Sequence, residues 1–212
     1  MKIVPISVEL LDWMGDDLAV VNAARVSFHK ESTEFEEKDE RLLKYLAKHN
    51  HWTPFGHCTA KFRIKAPIFV ARQLGKHQVG LVWNEVSRRY VDSEPEFYIP
   101  DYWRAKAENV KQGSSNTPVN LNTNYAYLAM SVALDAYDSM LNLGVCSEQA
   151  RMILPQNTMT EWIWTGSLAA FARICNLRLD PHTQKETQEV AKLIDVKMME
   201  KFPVSWKALV RS

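Results

Sequence analysis

Apolar and polar residues alternate strictly over 58–65: Ala60, Phe62 and Ile64 fall on one side, Thr59, Lys61, Arg63 and Lys65 on the other. A period of two marks a strand with one face in a core. Pro67 follows and suits the opening of a helix over 68–74, which Gly75 ends. Residues 1–13 carry Ile3, Val4, Ile6, Val8, Leu10 and Leu11 with Pro5 among them, the pattern of an edge strand. Helical spacing marks 16–26 and 36–49, the second with an apolar stripe at Leu42, Leu43 and Leu46. The charges over 30–41 read as a solvated face. The strongest helical signal spans 122–143, where Tyr125, Leu128, Ala129, Val132, Ala136, Met140 and Leu143 form one apolar face and Gly144 is the stop. Ser147 is placed to cap a short helix over 148–154 that Pro155 closes, and two further helices are expected over 167–177 and 182–201. The stretch 101–120 is polar and irregular and reads as a mobile surface loop. Helices outnumber strands without strict alternation, so the fold class is α+β, with one domain over 1–212.

Composition narrows the functional classes. At 46% hydrophobic and 24% charged residues, the 212-residue chain is neither disordered nor low-complexity. Its 26 basic residues face 25 acidic ones, a net charge of +1, which excludes a basic coat for nucleic acid. Cys58, Cys146 and Cys175 are scattered and odd in number, so no disulfide framework is expected and a reducing compartment, the cytoplasm, is favoured. No signal core opens the chain and no 18 apolar residues run together, so no membrane partner is expected.

The densest polar cluster runs from Arg72-Gln73 through Lys76-His77-Gln78 to Asn84-Glu85-Val86-Ser87-Arg88-Arg89-Tyr90. Arginine forks, a serine hydroxyl and a lysine displayed after Gly75 suit a phosphate, with Glu85 an acceptor for sugar hydroxyls; a surface salt-bridge network uses the same residue types. Arg178, at the end of an apolar helix, is either a partner of the helix dipole or a fixed guanidinium facing a ring anion. Arg151 stands among apolar neighbours, where burial demands an anionic partner. His49, His51 and His57 match no zinc spacing, and 52–55 reads as a packed turn, so no metal is expected. There is no Gly-x-Ser-x-Gly elbow, Walker loop or Gly-x-Gly-x-x-Gly.

Taken in order, these segments resemble the flavin-dependent thymidylate synthases over nearly the whole chain. The resemblance rests on seven blocks, 23–28, 51–57, 65–73, 84–90, 96–100, 150–155 and 176–180. It departs at the family signature Arg-His-Arg, seven residues, Ser: here the chain reads Lys76-His77-Gln78, eight residues, then Ser87. Gln78 is neutral and Lys76 lacks the fork, which weakens two phosphate contacts the family pattern implies. Ala169 stands where some members place an arginine, and Arg173 lies one helical turn on.

The resemblance implies an α+β fold with a twisted, mostly antiparallel sheet flanked by helices, and a homotetramer whose subunits share each site. It implies FAD lined by His51, Thr53, Lys76, His77, Gln78, Val79, Asn84, Glu85, Ser167 and Arg173. It implies dUMP held by Gln73, Glu85, Val86, Ser87, Arg88 and Arg89, with Arg151 from a neighbouring subunit and Arg178 at the uracil ring. Methylenetetrahydrofolate is then the carbon donor, NADPH the reductant, and dTMP the product. Two alternatives remain beside it: another C5 modification of a pyrimidine nucleotide, such as hydroxymethylation, and a non-catalytic nucleotide-binding homologue.

Overall fold

In the computed structural model the described residues are 1–108 and 113–210. The strands, in chain order, are β1 (Lys2–Ile3), β2 (Ser7–Met14), β3 (Thr59–Pro67), β4 (Leu81–Glu85), β5 (Glu96–Phe97), β6 (Trp103–Lys106), β7 (Ser114–Val119) and β8 (Met159–Ser167). The helices are α1 (Asp17–Arg25), α2 (Glu37–Lys48), α3 (Ile68–Leu74), α4 (Asn124–Asn142), α5 (Ser147–Ala150), α6 (Leu168–Arg178), α7 (Lys185–Lys201) and α8 (Pro203–Val210).

Four strands form the main sheet in the order β2-β3-β8-β4. Backbone bonds set its sense. The Ile68 N–H donates to the Thr158 carbonyl at 2.9 Å and the Leu168 N–H to the Cys58 carbonyl at 2.8 Å, so β8 runs back along β3. Likewise the Val86 N–H donates to the Glu161 carbonyl at 2.9 Å and the Ser167 N–H to the Gly80 carbonyl at 3.2 Å, which makes β4 antiparallel to β8. Arg63 pairs with Glu9 at 3.2 Å, a charged contact from β3 to β2. Two short sheets complete the set, β1 parallel to β5 and β6 antiparallel to β7. Gly166 is required on β8: an added Cβ would lie 2.4 Å from Leu81 Cδ2 and 3.0 Å from the Gly80 carbonyl oxygen.

The chain divides into two compact units. Unit 1 comprises Met1–Ser7, Lys65–Lys76 and Asn84–Trp162. Its core gathers Phe97, Met130, Leu134, Tyr137 and Ala150. Unit 2 comprises Val8–Ile64, His77–Trp83 and Ile163–Ser212. Its centre is a chain of edge-to-face rings: Phe62 on Phe171 at 5.0 Å, Phe171 on Trp164 at 5.5 Å, and Trp164 on Trp83 at 5.3 Å. The buried Asp17 carboxylate accepts from the N–H groups of Val204 and Ser205 at 2.9 and 2.8 Å, satisfying the exposed donors at the start of α8.

The α+β class, the strand at 58–65 and its buried face, and the helices at 16–26, 36–49 and 68–74 stand in the structure within a few residues of expectation. Other expectations are corrected. The 101–120 stretch holds the β6–β7 pair rather than a loop, with 109–112 outside the described residues. Ser147 is the first residue of α5, not its cap, and a 3₁₀ turn follows over Arg151–Ile153. The buried side of α4 is Met130, Leu134 and Tyr137, while Leu128 is 63% and Val132 59% exposed. The cause is that α4 is apolar over most of its circumference, so periodicity alone allowed two inward faces.

The ring chain predicts where unit 2 is least tolerant. Phe171→Ala should cost about 3–5 kcal/mol, since it removes two edge-to-face contacts and leaves a cavity. Phe171→Leu should cost clearly less, as read from urea unfolding midpoints.

Candidate active site

Unit 1 brings three of the expected substrate residues together with the chain's own Arg151, a residue that the resemblance implies as a neighbouring subunit's contribution. Glu85, Val86, Arg88 and Arg151 line one cleft of about 290 Å³. Glu85 ends β4, and the β4–β8 register sets Thr160 beside it: the Thr160 hydroxyl donates to Glu85 Oε1 at 2.7 Å. Arg88 donates to the Ser93 carbonyl at 2.8 Å and Arg151 to the Glu148 carbonyl at 3.2 Å. Each bond uses one of the five N–H groups of a guanidinium. Lys65, at the end of β3, lines the same cleft and is ion-paired with Glu96, which also pairs with Lys2. Hydrogen bonds from Lys2 and then Lys65 hold the Glu96 carboxyl below the usual range, so it stays charged and offsets both ammonium groups. The result is a cleft in which Arg88, Arg151 and Lys65 stand beside Glu85, Glu96 and Glu161, so that guanidinium forks can meet a phosphate and carboxylates can accept from sugar hydroxyls.

The remaining substrate residues of unit 1 do not line that cleft. Gln73 is half-buried on α3. Arg89 lies exposed, its Nε donating to Ser87 Oγ at 3.2 Å and its guanidinium 5.0 Å above the Tyr90 ring. Lys76 and Asn84 are exposed. Arg151 is exposed within the single chain as well, and Met152 beside it is 78% exposed.

Unit 2 gathers a second set around α6. The Ser167 hydroxyl accepts from the Ala170 N–H at 3.2 Å and caps the helix. Arg173, one turn further, donates to the Val79 carbonyl and ties down the 77–80 turn. Gly80 in that turn has φ +75°, and an added Cβ would meet Ala170 Cβ at 3.3 Å, so both conformation and space favour glycine. Arg178 in the last turn donates through Nε to His77 Nε2 at 3.0 Å. Because a guanidinium only donates, His77 Nε2 bears a lone pair and the imidazole is neutral. Burial first, then Arg178 and Arg173, holds the His77 pKa below its ordinary 6.5. Burial also lowers the Arg178 value, yet a guanidinium remains charged. Thus Arg178 is oriented by a side chain from another segment and not only by its own helix end. His51 and Arg173 line a further cleft of unit 2, of about 1030 Å³, while Thr53, Gln78 and Val79 are exposed in turns.

Sequence reasoning missed Thr160, Lys65 and Glu96. Thr160 and Glu161 lie on β8, which no expectation covered; the Trp162-x-Trp164-x-Gly166 alternation is the signal that marks it. Cys58 and Cys175 are buried, and burial pushes the Cys58 thiol up to about 11, which leaves no thiolate there at neutral pH.

The His77–Arg178 pair has a measurable titration. Folding lowers the His77 pKa, so the stability carried by its neutral form is intact above about 6.5 and lost as pH falls through the lowered value. NMR of the imidazole Cε1 proton should give a midpoint below 6.5. Arg178→Ala should raise it part of the way back, since burial remains. A wild-type midpoint at or above 6.5 contradicts the arrangement.

Comparison with known proteins places the chain in a family. A family model described as thymidylate synthase complementing protein matches residues 9–204. The chain is 38% identical over 206 residues to the flavin-dependent thymidylate synthase of Thermosipho africanus, covering 95% of this chain and 90% of that protein. It is 41% identical over 203 residues to that of Thermus thermophilus, covering 95% of this chain and 74% of the relative. Among solved structures, the UMP/dUMP methylase PolB from Streptomyces cacaoi, bound with 5-Br dUMP, superposes with a TM-score of 0.87 at 31% identity, over 100% of this chain and 97% of the other. Matched from Glu9 to Val204 and related at this level along almost its full length, the chain belongs to the family of the flavin-dependent thymidylate synthases.

Proposed function

We propose that the protein methylates C5 of dUMP to dTMP, with methylenetetrahydrofolate as carbon donor and NADPH as reductant of a bound FAD. The observation that carries the reading is the unit 1 cleft, where Glu85, Val86, Arg88 and Arg151 converge in the arrangement a nucleotide requires. The whole of 1–212 acts as one functional domain in this reading, in the cytoplasm. The relatives named for thymidylate synthesis and the methylase of similar structure support it.

The residues present fit a flavin nucleotide by the chemistry of their donors. Arg173 and Lys76 are cations for phosphates, Ser167 is a hydroxyl, and neutral His77 is a flat, uncharged surface. When bound, the flavin supplies the hydride that turns the transferred carbon into a methyl group. The chain's own residues do the rest. Arg88 and Arg151, which line the cleft, grip the substrate phosphate, and Gln73, Val86, Ser87 and Arg89 are the further contacts that the family resemblance implies. Glu85, oriented by Thr160, accepts from the sugar. Arg178 stabilises negative charge on the uracil as N3 loses its proton, and its hydrogen bond to His77 fixes where that charge is met. Holding the ring in a single pose is an orientation effect. His51 and Thr53 orient the flavin; neither acts as a base. Asn84, Gln78 and Val79 complete its lining.

A homotetramer follows from the same reading. The outward side of α4 carries Tyr125, Leu128 and Val132, each more than half exposed, and Met152 is exposed as well. Apolar area on this scale suits a partner subunit.

Two outcomes test the proposal. Purified protein supplied with FAD should be yellow and bleach under NADPH, and the nucleotide product should gain the mass of a methyl group; a hydroxymethyl product or a protein that takes up no flavin overturns it. In the same assay Arg178→Ala should lower kcat roughly 100-fold or more, with the unfolding midpoint little changed; an unchanged kcat removes its role. Separately, Leu128→Asp should dissociate the oligomer in light scattering without unfolding the chain, because that side chain is already exposed on each subunit.

A further inference from the structure

The large cleft of unit 2 has a cationic wall. Lys44 and Lys48 lie one turn apart on α2 and share a face, and α8, packed against α2, brings Lys207 to the same wall. Arg173 lines the cleft too. Among the described lining residues Glu40 is the one carboxylate. It pairs with Lys44 at 2.5 Å, and Lys207 adds to the field that lowers its pKa. Three ammonium groups and a guanidinium against one carboxylate leave the wall with excess positive charge. Trp52, 64% exposed, offers a flat apolar surface in the same cleft. Cations beside an exposed indole suit a ligand that joins a planar ring to closely spaced negative charges.

The signature of this chain makes such a wall consequential. Gln78 stands where the family pattern has an arginine, and it lies in unit 2. One phosphate partner is missing from the signature, while lysines that the signature does not include line the cleft. We propose that Lys44, Lys48 and Lys207 form an anion-binding wall that holds the pyrophosphate of a dinucleotide, FAD or NADPH. The identity of the dinucleotides rests on the reading under Proposed function. Pyrophosphate carries its charges on adjacent groups, which matches lysines whose Cβ atoms are about 5–6 Å apart.

The test titrates FAD, NADP⁺ and riboflavin, which lacks phosphate, into the full-length protein and into the triple variant Lys44→Ala, Lys48→Ala, Lys207→Ala. Circular dichroism verifies that both are folded. The triple variant should bind FAD or NADP⁺ roughly tenfold more weakly, with a flatter salt dependence, and riboflavin within about twofold of wild type. The triple Lys→Arg variant should restore binding. Loss confined to FAD assigns the wall to the flavin dinucleotide, and loss confined to NADP⁺ assigns it to the reductant. Wild-type affinity of the triple variant for both overturns the wall. Should the triple variant not fold, Lys48→Glu at its exposed position reads the same loss. Wild-type protein that binds NADP⁺ in a wall-dependent way but takes no FAD removes the flavin reading and leaves the wall standing.

Discussion

A neutral imidazole held against a guanidinium is the constraint on which the geometry of unit 2 turns. His77 accepts from Arg178 and lies in the field of Arg173, so protonating it would place a third cation among two. Burial resolves the conflict by keeping the ring uncharged. The same helix that supplies both arginines also fixes the turn that carries the histidine: Arg173 binds the Val79 carbonyl, and Ala170 and Ser167 crowd Gly80. A cation placed to meet a developing anion must not spend its charge on a carboxylate nearby. In the proposed reaction Arg178 meets that requirement through a neutral partner that orients it without neutralising it.

The fold was legible where a face is half-buried. β3 lies inside the sheet but keeps Lys61, Arg63 and Lys65 outside its apolar row, and that contrast is what periodicity detects. β8 offers a weaker contrast, because apolar Ile163 stands between Trp162 and Trp164 and only the buried row of Trp162, Trp164 and Gly166 marks the period. α4 fails for a related reason. Its apolar residues surround the helix, and the inward side is chosen by Phe97 and Ala150, which lie far off in sequence. Among apolar neighbours Arg151 reads as either buried or at an interface, and Arg151, Met152 and Ile153 are all exposed within the single chain. Apolar character predicts eventual cover, and within one chain that cover need not be its own core.

Of the site, the residue types were legible and the convergence was not. The 84–89 segment announces a phosphate through its arginines and serine, but Arg151 reaches the cleft from a distant turn. Thr160 could be found only through the β4–β8 register, since a threonine on a strand has no signature of its own. The motif order supplied what spacing could not: a resemblance grouped residues that local pattern leaves apart.

Charge shows where a sound local inference stops. A net charge of +1 argues against a basic coat, yet it says nothing about where 26 cations sit against 25 anions. On α2 the ion pairs Arg41–Glu37 and Lys44–Glu40 have the four-residue spacing of a solvated helix face. Such a face stays merely solvated when water is its only neighbour. Here α8 packs alongside and contributes Lys207, and α6 contributes Arg173, so one flank of the face becomes the side of a cleft. In a cleft with low-dielectric walls the field of each ammonium is concentrated rather than screened. The same residues therefore change from a solubility device to a ligand surface through tertiary packing alone, with no change in local sequence.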